Sequence, residues 1–310
     1  KAVDEAFSEA QPVTMGVSVG KSDLGINRRQ LNIDNSVGLG QCDWAPYNPQ
    51  MTVISFKNEK GEITGNIIHY GCHGTCAGLN KEVSRDWSGV MTDALEKETG
   101  AITAFFNGPE GDVGPRLSNG QTTAELPYIY EVGGIGAKDA IRIFKSIDEY
   151  NDFSLSSVSG RVKLPYDKRI SYEEAVEGCK KYSSEAINFE KQMSVYFNNV
   201  RASYEKDFIE EEFDEIEQSI IRIGDVAFVS FPYELFSVIG MRINEAVKDL
   251  NVLSLSNANG SKGYFPTQDQ LCRGGYEVTT FKYNGVQCPV DDADYHLLKG
   301  TLENIGKLER

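Results

Sequence analysis

Residues 63–106 read ITGNIIHYGCHGTCAGLNKEVSRDWSGVMTDALEKETGAITAFF, and this stretch decides the fold class. Ile63 to Tyr70 is an apolar run rich in β-branched residues, the composition of a strand. Val90 to Thr99 has helical spacing and is followed by Gly100, a fitting helix stop. Ile102 to Phe106 is strand-like again and short enough to be buried.

Upstream, Val13 to Val19 is a short strand candidate, and Thr52 to Phe56 joins Ile63 to Tyr70 through Asn58-Glu59-Lys60-Gly61-Glu62, a hairpin signal. Downstream, Glu131 to Ile147 reads as a helix. Between Ser171 and about Phe208, the residues Tyr172, Val176, Cys179, Ala186, Phe189, Met193, Phe197 and Val200 recur at helical steps. This predicts an amphipathic helix or helical hairpin whose Met and aromatic stripe is core packing. Ile220 to Ile223 and Val226 to Phe231 flank Gly224-Asp225, a type I′ hairpin signature. A helix from Phe236 to Leu250 and a strand from Val252 to Leu255 follow. Strands alternating with helices, some paired as hairpins, predict an α/β fold with a mixed β-sheet core and flanking helices. One domain over 1–310 is expected, with the helical segment at about 168–215 as an insertion.

Composition narrows the function. The 310 residues are 40% hydrophobic and 25% charged, ordinary for a globular protein. A net charge of −15 argues against nucleic acid, because neutralising phosphate needs basic clusters. No apolar run approaches the roughly 18 residues of a membrane-spanning helix. Cys42, Cys72, Cys76, Cys179, Cys272 and Cys288 show no repeated spacing, so reduced thiols and a cytoplasmic location are expected.

Polar residues that are costly to bury collect where strands end: His73-Gly74-Thr75, Ser84-Arg85-Asp86, the loop from Asn107 to Pro115, Tyr233-Glu234, and Asn257 to Tyr264. Binding sites of α/β proteins gather at such strand ends. By residue type, His73, Glu234 and Tyr264 would supply three metal ligands or an acid–base set. Each also has a plain reading: Glu234 as a charge at a helix N-terminus, Tyr264 as packing, His73 as a satisfied polar group. Ser84 and Asp86 read either as a hydrolytic pair or as caps of the following helix.

Five segments in order resemble the neutral ceramidase family and its bacterial relatives. They are Ile26-Asn27-Arg28-Arg29, Tyr70-Gly71-Cys72-His73-Gly74-Thr75, Val83-Ser84-Arg85-Asp86-Trp87, Asn107 to Arg116, and the pair Phe231-Pro232-Tyr233-Glu234 and Gly263-Tyr264-Phe265-Pro266-Thr267, closing on Gly275-Tyr276-Glu277. The resemblance implies a Zn2+ ion held by His73, Glu234 and Tyr264, with Arg28 and Tyr264 as catalytic groups. It also implies that Asn27, Ser84, Asp86, Asp112 and Gly114 line the substrate. Nothing here resembles the family's Thr-His-Thr-His-Ser-Gly-Pro segment with its first zinc His, so a separate N-terminal polypeptide is an expected partner. Gly114 stands where ceramidases carry an active-site Ser. The resemblance therefore points to hydrolysis of a small or lipid-like N-acyl amide by metal-activated water. The alternative is a non-catalytic relative that binds a ligand or partner.

Overall fold

The computed structural model describes residues 1–182 and 188–308, so Ala186 of the expected helical stripe lies outside the described residues. The chain divides into two compact units. The first holds Lys1–Ile26, Pro49–Asn107 and Gly114–Leu155; the second holds Asn27–Asn48, Gly108–Val113 and Ser156–Arg310.

The first unit is a four-stranded mixed sheet. Strand β1 (Val13–Lys21) pairs antiparallel with β2 (Gln50–Asn58), and β2 with β3 (Ile63–Tyr70). The β2–β3 turn is held by the Asn58 side chain, whose Oδ1 accepts from the amides of Lys60 and Glu62. Helix α1 (Asp86–Thr99) then carries the chain over to β4 (Thr103–Asn107), which pairs parallel with β3. A parallel neighbour needs such a crossover, because a tight turn can only reverse direction. Helix α2 (Pro127–Lys145) packs on α1. Trp87, fully buried, sits edge-on to Tyr70 and Phe105 at centroid distances of 6.3 and 5.1 Å, locking α1 to β3 and β4. The helix starts at Asp86, four residues ahead of Val90, and the Asp86 carboxylate accepts from the Trp87 amide at that start.

The second unit has its own sheet, ordered β9 (Asn251–Leu255), β7 (Val226–Ser230), β6 (Phe213–Ile223), β5 (Leu155–Pro165). Strands β6 and β7 form the expected hairpin, with Ile223 opposite Val226, while β7 and β9 run parallel. The turn is not type I′. That turn needs positive φ at both central residues, and among the described residues only Gly224 of the two has it, at +57°. Asp225 carries a Cβ that disfavours the left-handed region. The crossover from β7 to β9 is α5 (Ser237–Ala246), which with α6 (Ala293–Ile305) covers a core of Val162, Ile216, Val229, Phe265, Ile239 and Leu297.

The segment expected as an amphipathic helix or hairpin is a pair, α3 (Tyr172–Lys181) and α4 (Asn188–Ser203), packed together. Its fully buried face is centred on Ala175, Tyr196 and Val200; Tyr172, expected in the stripe, is 40% exposed and turned against Tyr204. Small residues set where the two helices meet, which hydrophobicity alone does not mark. Among the described residues no helix is long and apolar enough to cross a membrane, and the six cysteines are free thiols.

Candidate functional site

Four stretches of the second unit, far apart in sequence, converge on one buried polar cluster. The first is Asn27-Arg28-Arg29. Asn27 is spent on architecture: its Nδ2 donates to the Pro46 carbonyl (2.8 Å) and to Asp112 Oδ2 (3.2 Å), and its Oδ1 accepts from the Arg29 amide (3.0 Å). These bonds fix the two arginines that follow. Arg28 donates from Nε to Glu277 Oε1 at 3.0 Å, and Arg29 from Nη1 to Glu277 Oε2 at 2.6 Å. Arg29 is further tied by Nη2 to the Gly274 carbonyl (2.6 Å). One carboxylate thus braces two guanidinium groups, and all three side chains are almost wholly enclosed.

The second stretch is the loop through Glu110 and Asp112. The Arg28 amide donates to the Asp112 carbonyl (2.8 Å), which anchors the loop beside the arginines. The Asp112 carboxylate accepts from the Ser237 amide (2.7 Å) and from the Ser237 hydroxyl (3.2 Å). It thereby caps α5 from a distant loop, since the local cap residue Phe236 offers no side-chain bond. Burial pushes the Asp112 carboxyl up to about 6 against the help of these bonds. Burial pushes Glu110 further, to about 8, with a hydrogen bond from Ser256 opposing and the negative charge of Glu234 assisting. Glu110 is thus held protonated at neutral pH. Gly111 lets this loop close: its amide donates to the Leu235 carbonyl (2.7 Å), and a Cβ there would lie 2.4 Å from the Glu234 carbonyl oxygen.

The third and fourth stretches meet as a two-stranded parallel ribbon, β8 (Glu234–Leu235) and β10 (Tyr264–Phe265), with Glu234 directly opposite Tyr264. Parallel neighbours in register project their side chains to the same side, so the carboxylate and the phenol stand next to one another. Burial pushes the Tyr264 phenol up, Glu234 adds to this, and Arg28 opposes it with a hydrogen bond and its charge. The Arg28 guanidinium lies 5.4 Å from the Tyr264 ring centre. Burial works against its charge, but Glu277 and Tyr264 more than offset that and keep its pKa above the ordinary value.

The structure therefore brings together Asn27, Arg28, Asp112, Glu234 and Tyr264. The remaining expected residues lie in the first unit. His73 follows β3, and its backbone carbonyl accepts from Trp87 Nε1 (2.9 Å). Ser84 is exposed and accepts from the Asp86 amide (2.9 Å). Asp86 accepts from the amides of Cys76, Ala77 and Trp87, at 3.2, 3.1 and 2.7 Å, holding the loop after His73 to the start of α1. Gly114 is buried on the short strand Val113–Pro115. Glu110, Ser237 and Arg29 belong to the cluster with no role foreseen for them. Glu277, visible in its Gly-Tyr-Glu motif, is the brace.

For a metal, Glu234 and Tyr264 fit as two adjacent oxygen donors. Among the described residues, no group of three or more His, Cys, Asp or Glu side chains is arranged to hold an ion. The pair alone is short of the three protein ligands of a catalytic zinc site.

No protein-family model matches the chain, and no curated protein sequence matches it. Solved structures do. Neutral ceramidase from Pseudomonas aeruginosa matches with a TM-score of 0.67 at 20% identity, over 96% of this chain and 52% of that one. A structure described as ceramidase complexed with C2 matches with a TM-score of 0.64 at 18% identity, over 95% of this chain and 53% of that one. The chain spans about half the length of these structures. At such identities the likeness is one of fold, and over nearly its whole length this chain has the fold of neutral ceramidase.

Proposed function

We propose that this chain is a zinc-dependent hydrolase of an N-acyl amide bond. The observation that carries the reading is the pairing of Glu234 with Tyr264 in register, with Arg28 against the Tyr264 ring, on the ceramidase fold. Glu234 and Tyr264 would hold the ion through oxygen. Bound zinc supplies a water whose pKa falls to about 7 and polarises the amide carbonyl. The chain's own groups do the rest. Arg28 offers a guanidinium donor to the acyl oxygen, where negative charge grows as the bond is attacked. Burial, with the charge of Glu234 adding to it, favours the protonated form of Glu110, which lessens like-charge repulsion beside Glu234. Tyr264, kept as a phenol by burial, holds a proton at its oxygen.

Gly114 supports a second reading, a ligand-binding relative without turnover, because it brings no side chain to the position where ceramidases carry Ser.

Metal content of the isolated protein, read alongside hydrolysis of N-acyl amides from acetyl to palmitoyl, separates the two. About one zinc per chain, lost in Glu234→Gln together with amide cleavage, is the expected result. A zinc-loaded protein that cleaves no member of the series would turn the assignment to the binding reading.

A further inference from the structure

Arg28 is 5% exposed, and its Nη2 is buried with no hydrogen-bond partner. A buried guanidinium donor left unsatisfied loses its bonds to water without replacement, so native structures rarely keep one without a use. The rest of the group is committed. Nε is tied to Glu277, and the guanidinium also bonds Tyr264. Glu277 cannot follow Arg28 if it swings, because its other oxygen is held at 2.6 Å by Arg29, itself anchored to the Gly274 carbonyl and packed 5.3 Å from the Phe236 ring centre. The brace has one rigid geometry with one donor to spare.

We propose that Glu277 is a positioning residue. It aims Arg28 so that Nη2 is left for a single acceptor oxygen, the carbonyl of a bound acyl group or the carboxylate of the free acid. This rests on the acyl-amide reading of the site and deepens it: the recognised half of the substrate is the acyl oxygen, and the carboxylic acid released is itself a ligand. A neutral Gln in place of Glu277 keeps the size but offers one acceptor oxygen and one NH2 group, so both arginines lose the charged partner and one of them meets a donor where it had an acceptor.

The experiment uses the full chain labelled with 15N-arginine, with sodium hexanoate as the probe. In the wild type, the Arg28 Nε–Hε signal, assigned through Arg28→Lys, is expected to exchange slowly with solvent and to shift saturably with hexanoate. In Glu277→Gln that protection is expected to disappear and the hexanoate dissociation constant to rise about tenfold or more, roughly 1.4 kcal/mol. Glu277→Asp, which restores the charge, should recover part of both. Thermal unfolding of each variant gives the folded control, and Glu277→Asp keeps the test open where Glu277→Gln does not fold. Unchanged hexanoate affinity in a folded Glu277→Gln overturns the positioning role and leaves the acyl reading standing. A wild type with a protected Arg28 signal that hexanoate never moves overturns the acyl reading, and with it the proposed use of Nη2, while the Arg28–Glu277 bond stands.

Discussion

At the scale of single residues, the site is governed by what burial does to charge. Asp112 is 3% exposed and titrates near 6 against an ordinary 3.8, with burial as the main cause. The native state therefore holds its proton more tightly than the unfolded chain does. Its contribution to stability is complete below about pH 3.8 and is lost as pH rises through about 6. Over that window the loss amounts to about 2–3 kcal/mol. Asp112→Asn keeps an acceptor for the Ser237 amide but does not titrate. Urea unfolding at pH 4, 5.5 and 7 should show the wild type losing that much relative to the variant, and a constant gap between the two would refute the assignment. Gly111 makes the other residue-scale prediction. Its added Cβ would lie 2.4 and 2.8 Å from the carbonyl oxygens of Glu234 and Leu235, backbone atoms that cannot swing aside. Gly111→Ala should cost about 1–3 kcal/mol by urea unfolding and shift Glu234. Neither effect is legible in the sequence. Asp112 and Gly111 lie in a quoted motif, but what they touch is Ser237 and Leu235, more than 120 residues away.

At the scale of elements, local chemistry was readable wherever a strand or helix carries its own signals. The β2–β3 hairpin follows from two apolar, β-branched runs and a polar turn, and α1 ends at Gly100 with φ +72°, as its sequence implies. Elements with borrowed signals were not. Helix α5 is capped by Asp112 from another loop, so its start carries no local signal. The α3–α4 pair shows both sides. Its existence follows from periodicity, but its contact face follows from small residues: Gly178 packs under the Phe197 ring, where a Cβ would meet ring carbon at 2.2 Å. The start of α3 is a complete capping box, with Ser171 Oγ accepting from the Glu174 amide (3.2 Å) and Glu174 Oε2 accepting from the Ser171 amide (2.8 Å). Ser171→Ala should cost about 1 kcal/mol. Hydrogen exchange of the first-turn amides of α3 reads it directly: they should exchange faster in the variant, while β6 and β7 amides stay as protected as before.

At the scale of the whole molecule, the order of motifs was legible and their partition was not. Residues 27–48 and 108–113 fold with the C-terminal half, although in sequence they are embedded in the first unit. Nothing local encodes this; it follows from long-range bonds such as Arg28 to Glu277 and Asp112 to Ser237, which form only once the second unit assembles. A ligand of the cluster therefore draws on four separated segments, which share it only in the folded state. By mass action, anything that binds the native form alone stabilises it, by about 2.7 kcal/mol at a hundredfold excess over its dissociation constant. Zinc added to chelator-stripped protein should thus raise the unfolding midpoint progressively with concentration. Glu234→Gln removes one of the two paired oxygen donors and should abolish that rise, whereas Glu303→Gln, on the terminal helix and outside the cluster, should keep it. Differential scanning calorimetry over a zinc series decides the matter. If Glu234→Gln still gains stability as the wild type does, zinc is held elsewhere in the chain and the Glu234–Tyr264 pair is not its seat.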